Sequence, residues 1–462
     1  MIARPRPEPA VRAGVPGYVT VGEGAVHVRV FGHAGLPPLI LLHDSPGSSA
    51  ALAPMAVRLA DRFRVVTIDL PGHGGTTVPA SSAPASSAAR TVAEVLETLG
   101  LAGAPTAGLG YGARVVAHLS GPNRWVARGT TPATAPVPPP GVGHLIDTWW
   151  RMRPFVDGTP ADLNEVVADV LGRPSFTPSH EPFDPGGAVE LPAWSVAGLS
   201  QINPVSRTAA ALGNRIGAVG YAGGVHYRTA GWHHGGRPLI VLPPAPGSST
   251  KVVPLAEELG RTRPVLTVDY PGHGRSVPLG VDRAGCESYA DRIEAFATEL
   301  DLAEVDVLGI HSGALLALLW QRRHPDRVRH LILDGLPLGS AFAHLDLDAY
   351  LPDLTPDPDG HHVLRAWAKG HDRDRATAWT ADLLRGATTY DVLYRAVLTY
   401  AVERQPPGPV TPTLLLRTAG DPLARDLDRV RELLPHARVA DATPATTAAV
   451  VDQHLTFTGS TL

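Results

Sequence analysis

The chain has 462 residues, 44% of them hydrophobic, and a formal charge of only −4 at pH 7. That length accommodates two domains with separate cores, and near-neutrality without a basic stripe argues against a nucleic-acid binder or a protein held on an anionic membrane. The single cysteine, Cys286, excludes an internal disulfide framework, no run reaches the roughly 20 apolar residues of a membrane-spanning helix, and 1–17 has no apolar signal core, so a cytoplasmic protein with small-molecule partners is expected.

Taken in chain order, residues 1–16 read as a flexible tail, and a first strand pair is expected at 17–20 and 26–29. A buried strand at 39–42 leads into Ser45-Pro46-Gly47-Ser48-Ser49, and the strand at 64–70 ends in Pro-Gly-His-Gly at 71–74. Residues 79–89 are rich in Ser, Ala and Pro and read as a surface loop or the entrance to an inserted segment, since that composition buries too little apolar area to order itself. Val92, Val95, Leu96 and Leu99 follow at helical period, and Gly108-Leu109-Gly110-Tyr111-Gly112 comes next. Pro-rich residues 132–143 form a second loop, and 191–199 read as a late strand.

After a boundary near 217 the pattern begins again. Residues 220–228 give a second strand pair, 239–242 a buried strand, and Pro243-Pro244-Ala245-Pro246-Gly247-Ser248-Ser249 answers the first half at an offset of 200. Pro-Gly-His-Gly recurs at 271–274. Tyr289, Ile293, Phe296 and Leu300 are spaced by four, three and four residues, the apolar face of a helix, and 305–308 read as the buried strand before Gly309-Ile310-His311-Ser312-Gly313. The Asp/Pro-rich stretch 352–360 is a further loop. His144 and Trp149 match His362 and Trp367, each pair written His-x4-Trp. The strand at 412–418 runs into Asp421, and the last strand is placed at 437–442. Alternating short apolar runs and helical patterns signal βαβ units with mostly parallel sheets, and a period near 200 means tandem domains rather than a solenoid.

On these residues the chain resembles the α/β-hydrolase superfamily twice over, and its haloalkane dehalogenase and epoxide hydrolase branch in particular. The resemblance implies two α/β domains, at 17–216 and 217–462, each a mostly parallel sheet flanked by helices with a helical lid, together an internal pseudo-dimer. It also implies a strained turn that lifts a nucleophile above the sheet. In the matching frames that place is taken by Gly110 in the first half and His311 in the second, so both nucleophiles are gone. Asp421 stands at the acid position, with Leu199 as its first-half counterpart, and Thr446 or Thr447 stands where the base histidine belongs. His454 comes later, on the expected final helix. The resemblance assigns the oxyanion donors to the backbone N–H groups of Ser312 and Ala245. His362, Trp367 and His371 are the lid candidates for lining the pocket.

A histidine at a strained turn places an imidazole, with an ordinary pKa of about 6.5, where general acid/base chemistry can be done. Two oxyanion donors beside it suit proton abstraction next to a carbonyl. The expected activity is therefore cyclisation, epimerisation, elimination or decarboxylation of a carbonyl-containing small molecule in specialised metabolism, with Asp421 orienting His311 or acting as a second acid/base. Two readings stand beside it: ester, thioester or amide hydrolysis with Ser312 or His311 as an irregular nucleophile, and a non-catalytic ligand-binding or scaffold protein. No cofactor and no metal is expected, because the adjacent pairs His233-His234 and His361-His362 lack the spacing of zinc ligands.

Overall fold

A computed structural model describes residues 14–78, 85–121, 123–127, 143–156, 158–172, 189–190, 218–279, 285–368, 376–386, 388–405 and 410–458. The chain forms two compact units, one of residues up to 213 together with 353–388, the other of 214–352 together with 389–462. The helical segment 353–388, read from sequence as part of the second half, thus compacts with the first. The expected border at 216/217 lies outside the described residues, as does the tail up to residue 13, while Val15 and Pro16 already belong to the first strand.

In the first unit the strands are β1 (Val15–Val21), β2 (Gly24–Phe31), β3 (Pro38–Leu42), β4 (Arg64–Ile68), β5 (Thr106–Leu109), β6 (Arg124–Ala127) and β7 (Val189–Glu190), ordered β1-β2-β4-β3-β5-β6-β7. β1 and β2 are antiparallel to their neighbours, and the pairings from β4 to β7 are parallel. The second unit repeats this arrangement with β8 (Val219–Ala222), β9 (Val225–Ala230), β10 (Leu239–Leu242), β11 (Val265–Val268), β12 (Val305–Ile310), β13 (Val328–Asp334), β14 (Thr413–Thr418) and β15 (Arg438–Ala442). Its order is β15-β14-β13-β12-β10-β11-β9-β8. Every residue of β3 and of β10 is buried, as expected of strands covered on both faces of a parallel sheet.

The helix Cys286–Glu299 buries Tyr289, Ile293 and Phe296, the face its spacing predicted. The loop expected at 79–89 needs correction: helix Ala85–Thr98 takes in its last five residues, and Ala85, Ala88 and Ala89 pack with Val92 and Val95. Alanine is the best helix former and lets the helix lie close to its neighbours, so compositional bias did not mean a loop. The rest of that segment, 79–84, is outside the described residues.

The first unit also carries a separate helical core. Helices Gly143–Met152 and Pro160–Leu171 meet His361–Ala368 and Ala376–Arg385 through Leu145, Trp149, Val166, Val363 and Leu384. Arg385 reaches across to the Asp169 carboxylate (3.2 Å), which is almost fully buried. Among the described residues, no helix is long and apolar enough to cross a membrane.

Candidate functional site

In the second sheet the chain passes from β10 to β11 on one side and then to β12 on the other. The carboxyl ends of β10 and β12 therefore flank a topological switch point, where open α/β sheets bind ligands. The loop carrying Ala245 leaves the first of these ends and His311 leaves the second.

His311 is held at φ 50°, ψ −113°, and with Asp301 it is one of two non-glycine residues with positive φ among those described. Its first-half counterpart, Gly110, has nearly the same backbone, φ 54°, ψ −110°. Flanking glycines make the turn this tight: a Cβ on Gly309 would stand 2.3 Å from the Gly313 carbonyl, and one on Gly313 would stand 2.1 Å from that of Leu242. For a histidine such a conformation costs about 1–3 kcal/mol.

That cost places an imidazole against the acid position. His311 Nε2 lies 2.9 Å from Asp421 Oδ2, and because a carboxylate only accepts, Nε2 carries the hydrogen. No described residue bonds Nδ1, which is left as the basic nitrogen. The His311 side chain is 37% exposed and that of Asp421 6%, so the acid is enclosed while the imidazole faces outward. Burial alone would raise the Asp421 carboxyl; hydrogen bonds from His311 and the Leu423 N–H, with the charge of the imidazole, outweigh it and hold that carboxyl below its ordinary range. Gly335 makes the approach possible, since a Cβ there would meet His311 Cδ2 at 2.6 Å and Asp421 Oδ2 at 2.7 Å.

Ser312 heads the 12-residue helix Ser312–Arg323, and the first N–H groups of a helix have no partner within it. Its side chain is buried, with Oγ accepting from the Ala245 N–H and donating to the Ala245 carbonyl, both at 3.2 Å. The Ala245 N–H, one of the two expected oxyanion donors, is therefore held by a neutral hydroxyl in this structure.

The first unit answers the same question differently. Asp44 Oδ1 accepts from the N–H groups of Ser45 (2.8 Å) and Tyr111 (2.7 Å), the two positions that correspond to Ala245 and Ser312. A Cβ on Gly110 would lie 2.0 Å from the Asp44 carboxyl carbon and 2.1 Å from both its oxygens. An internal carboxylate thus occupies the space of a nucleophile and takes the hydrogen bonds of an oxyanion. The second half has Pro244 at that place.

The histidines of the repeated Pro-Gly-His-Gly turn bond to local carbonyls, His73 to Pro71 and His273 to Pro271. The aspartates before the turn tie each site loop to the sheet. Asp69 accepts from His27 Nδ1 and from the N–H groups of Ser49 and Gly75; Asp269 accepts from His226 Nδ1, Ser249 and Arg275.

The remaining expected site residues fall elsewhere. His362, expected near a pocket mouth, is instead fully enclosed in the helical core of the first unit, bonded through Nε2 to Asn164 Oδ1 (2.7 Å) and edge-on to Trp149. Trp367 packs, partly buried, against the same core, and His371 lies outside the described residues, as does Leu199. Thr446 closes the turn before helix Thr447–Thr458 and Thr447 is the first residue of that helix, both bonded to Thr443. His454 is buried on that helix against His330, four residues before Asp334 on β13, roughly 13 Å along the strand from the His311 end. No group of three or more potential metal ligands occurs among the described residues. Sequence reasoning missed Asp44, whose only signal was an acidic residue in the loop facing a glycine elbow.

Comparison with a family profile supports the architecture. The profile described as alpha/beta hydrolase fold matches residues 37–124 and 237–444, more than half of the chain. Among curated proteins the chain is similar to the pimeloyl-[acyl-carrier protein] methyl ester esterase of Neisseria meningitidis, 35% identical over 102 residues covering 21% of this chain and 28% of that protein. It also resembles the putative carbamate hydrolase RutD of Caulobacter vibrioides, 31% identical over 25% of this chain and 43% of that protein. A third relative is the 2-hydroxy-6-oxo-2,4-heptadienoate hydrolase of Pseudomonas putida, 34% identical over 29% and 47%. The chain thus spans less than half the length of each of these relatives. Among solved structures, a thermophilic esterase from Thermogutta terrifontis aligns over 51% of this chain and 93% of its own, at 16% identity and a TM-score of 0.41. An esterase from Exiguobacterium antarcticum aligns over 52% and 95%, at 16% identity and a TM-score of 0.40. With two matched regions on two sheets of the same strand order, the chain belongs to the α/β-hydrolase fold family, as a tandem pair of such domains.

Proposed function

We propose that the chain is an enzyme of the α/β-hydrolase fold whose second unit does proton-transfer chemistry on a carbonyl-containing small molecule, with His311 as the acid/base and Asp421 as its orienting partner. The observation that carries this reading is the 2.9 Å His311–Asp421 bond at an elbow that holds no nucleophile. In this reading Asp421 accepts Nε2–H, and Nδ1 takes a proton from the carbon beside the carbonyl. The negative charge then gathers on the carbonyl oxygen, where the helix-head N–H of Ser312 stabilises it. Ala245 N–H joins once the substrate oxygen displaces the Ser312 hydroxyl. The first unit, with Asp44 filling its elbow, serves as a non-catalytic partner domain. A direct test is solvent-deuterium exchange, above the enzyme-free rate, at the carbon beside the carbonyl of simple acyl N-acetylcysteamine thioesters by the full chain; His311→Gln is expected to reduce exchange to the enzyme-free rate, and full exchange in that variant refutes the assignment.

A second reading is hydrolysis, favoured by the hydrolase names of the curated relatives. Here His311 Nδ1 activates a water that attacks the carbonyl directly, and no serine is needed. Ser312 is a poor nucleophile in this setting, buried and bonded at both ends to Ala245. A fluorophosphonate probe that labelled Ser312 would favour a serine mechanism over both readings.

A further inference from the structure

The loop that leaves β10 carries a cation as well as the Ala245 N–H. Lys251 lies in the short helical turn Ser249–Val252, its side chain partly buried, and its Nζ donates to the Pro246 carbonyl at 2.6 Å. The side chain folds back over Gly247, where a Cβ would stand 2.4 Å from Lys251 Cε and 2.7 Å from Nζ. Pro246 follows Ala245, whose N–H and carbonyl both meet the Ser312 hydroxyl at 3.2 Å, and Ser312 follows His311. Two residues of backbone thus separate the Ala245 N–H from the carbonyl that holds the ammonium, which places the ammonium within about 10 Å of that N–H. In the first unit the charges are the other way round. Asp44 supplies a carboxylate to the N–H groups of Ser45 and Tyr111, and the place of Lys251, 200 positions earlier, is taken by Ala51. The second unit has Pro244 where that carboxylate stands and an ammonium on the same loop.

We propose that Lys251 is a positioning residue that makes the second unit's site selective for carbonyl compounds carrying a carboxylate, the keto acids among them. The inference rests on the reading above of this site as one that takes a carbonyl. In the first unit the negative charge at the elbow belongs to the chain; in the second it arrives with the substrate. A carbonyl oxygen at the Ser312 and Ala245 N–H groups and a carboxylate at Lys251 Nζ are bridged by about three carbon–carbon bonds, with a hydrogen bond of about 2.8 Å at each end. The ammonium carries its hydrogens on a flexible stem, so it can turn towards a carboxylate without leaving the loop. It gains more from that charge than from the neutral Pro246 carbonyl, the more so at a partly buried position. Anchoring the carboxylate then fixes which end of the substrate faces His311, and so which carbon lies beside Nδ1.

The test compares, in the full chain, two stable ligands that differ in that charge alone: levulinate and its amide, 4-oxopentanamide. Saturation-transfer NMR titrations are expected to show levulinate binding about tenfold more tightly than the amide, the gain of one charge-assisted hydrogen bond. In Lys251→Met the two are expected to bind equally, and Lys251→Arg, which keeps the charge, is expected to restore the preference. A second readout needs no change at Lys251. The sequence has two lysines, Lys251 and Lys369, so lysine labelled with 13C at Cε gives two side-chain signals, and that of Lys251 is the one that remains in Lys369→Arg. Levulinate is expected to shift it saturably. Levulinate that binds no more tightly than the amide overturns the proposal, as does a preference that survives Lys251→Met or a Lys251 signal that levulinate leaves in place. None of these readouts needs turnover. A Lys251-dependent preference in a chain whose His311→Gln variant keeps full exchange removes the acid/base reading and leaves the anion site; exchange that depends on His311 without a preference for levulinate removes the anion site alone.

Discussion

Replacing Gly110 by alanine tests whether Asp44 fills the first elbow. The added Cβ would stand 2.0–2.1 Å from the carboxyl atoms of Asp44, more than 1 Å inside contact, so the carboxylate has to leave its place between the Ser45 and Tyr111 N–H groups. The strained backbone costs about 1–3 kcal/mol for any side chain. Losing two charge-assisted hydrogen bonds adds roughly 2–3 kcal/mol, allowing for water to replace part of them at this nearly buried site. In an Asp44→Ala background the clash and the bonds are already gone, and Gly110→Ala should cost only the backbone term. The expected coupling between the two positions is therefore about 2–3 kcal/mol, measured by urea unfolding of the four chains of the cycle, followed by circular dichroism. Equal cost of Gly110→Ala in both backgrounds would falsify the claim that the carboxylate occupies the nucleophile's space.

Other consequences are open to the same methods. His311→Gly should unfold at higher urea than His311→Ala, by about 1–2 kcal/mol, because only glycine relieves the positive φ; both should lose exchange activity. Gly335→Ala should cost about 2–4 kcal/mol and abolish exchange, since its Cβ enters the His311–Asp421 contact at φ +67°; full exchange in that variant contradicts the geometry. Burial pushes both His226 and His454 down to about 4, so both stay neutral in the native chain while the unfolded chain binds protons from about pH 6.5 downward. Stability should fall as pH drops from about 6.5 to 4, by up to roughly 1.4 kcal/mol per pH unit for each histidine, and these two groups add no further slope below that window. His454→Gln should flatten the slope between pH 6 and 4.5, and an unchanged slope refutes its share.

The duplicated scaffold was readable because it rests on local constraints repeated at a fixed offset. Buried runs such as 239–242 become strands in any parallel sheet, and glycine is demanded at 309 and 313 because a Cβ at either would stand less than 2.5 Å from a backbone carbonyl oxygen. Family order then brought His311 to Asp421 across 110 residues. What stayed hidden depended on partners that no local pattern specifies. Asp44 looks like a loop residue until Tyr111 N–H, 67 positions away, is seen to donate to it. Asp334 ends an ordinary strand, and nothing local announces that its carboxyl accepts from Thr418 on the neighbouring strand. The His-x4-Trp match at His362 and Trp367 was legible, but a repeated spacing does not say what covers a residue. The cover of His362 is Trp149 and Asn164, more than 190 residues earlier, which is why it was misplaced.

The embedding of 353–388 in the first unit also orders events during synthesis. A ribosome that has finished residue 213 has released a sheet whose helical layer lacks Val363, Ala381 and Leu384, and that layer has to wait for some 175 further residues. At 5–20 residues per second this is roughly 10–35 s, long compared with the folding of a small domain. During that interval Trp149 and the buried Asp169 face solvent or a chaperone. Each half of the gene therefore encodes something other than a freestanding domain, and a recombination that cut the chain at its midpoint would leave the upstream product without half of its helical core.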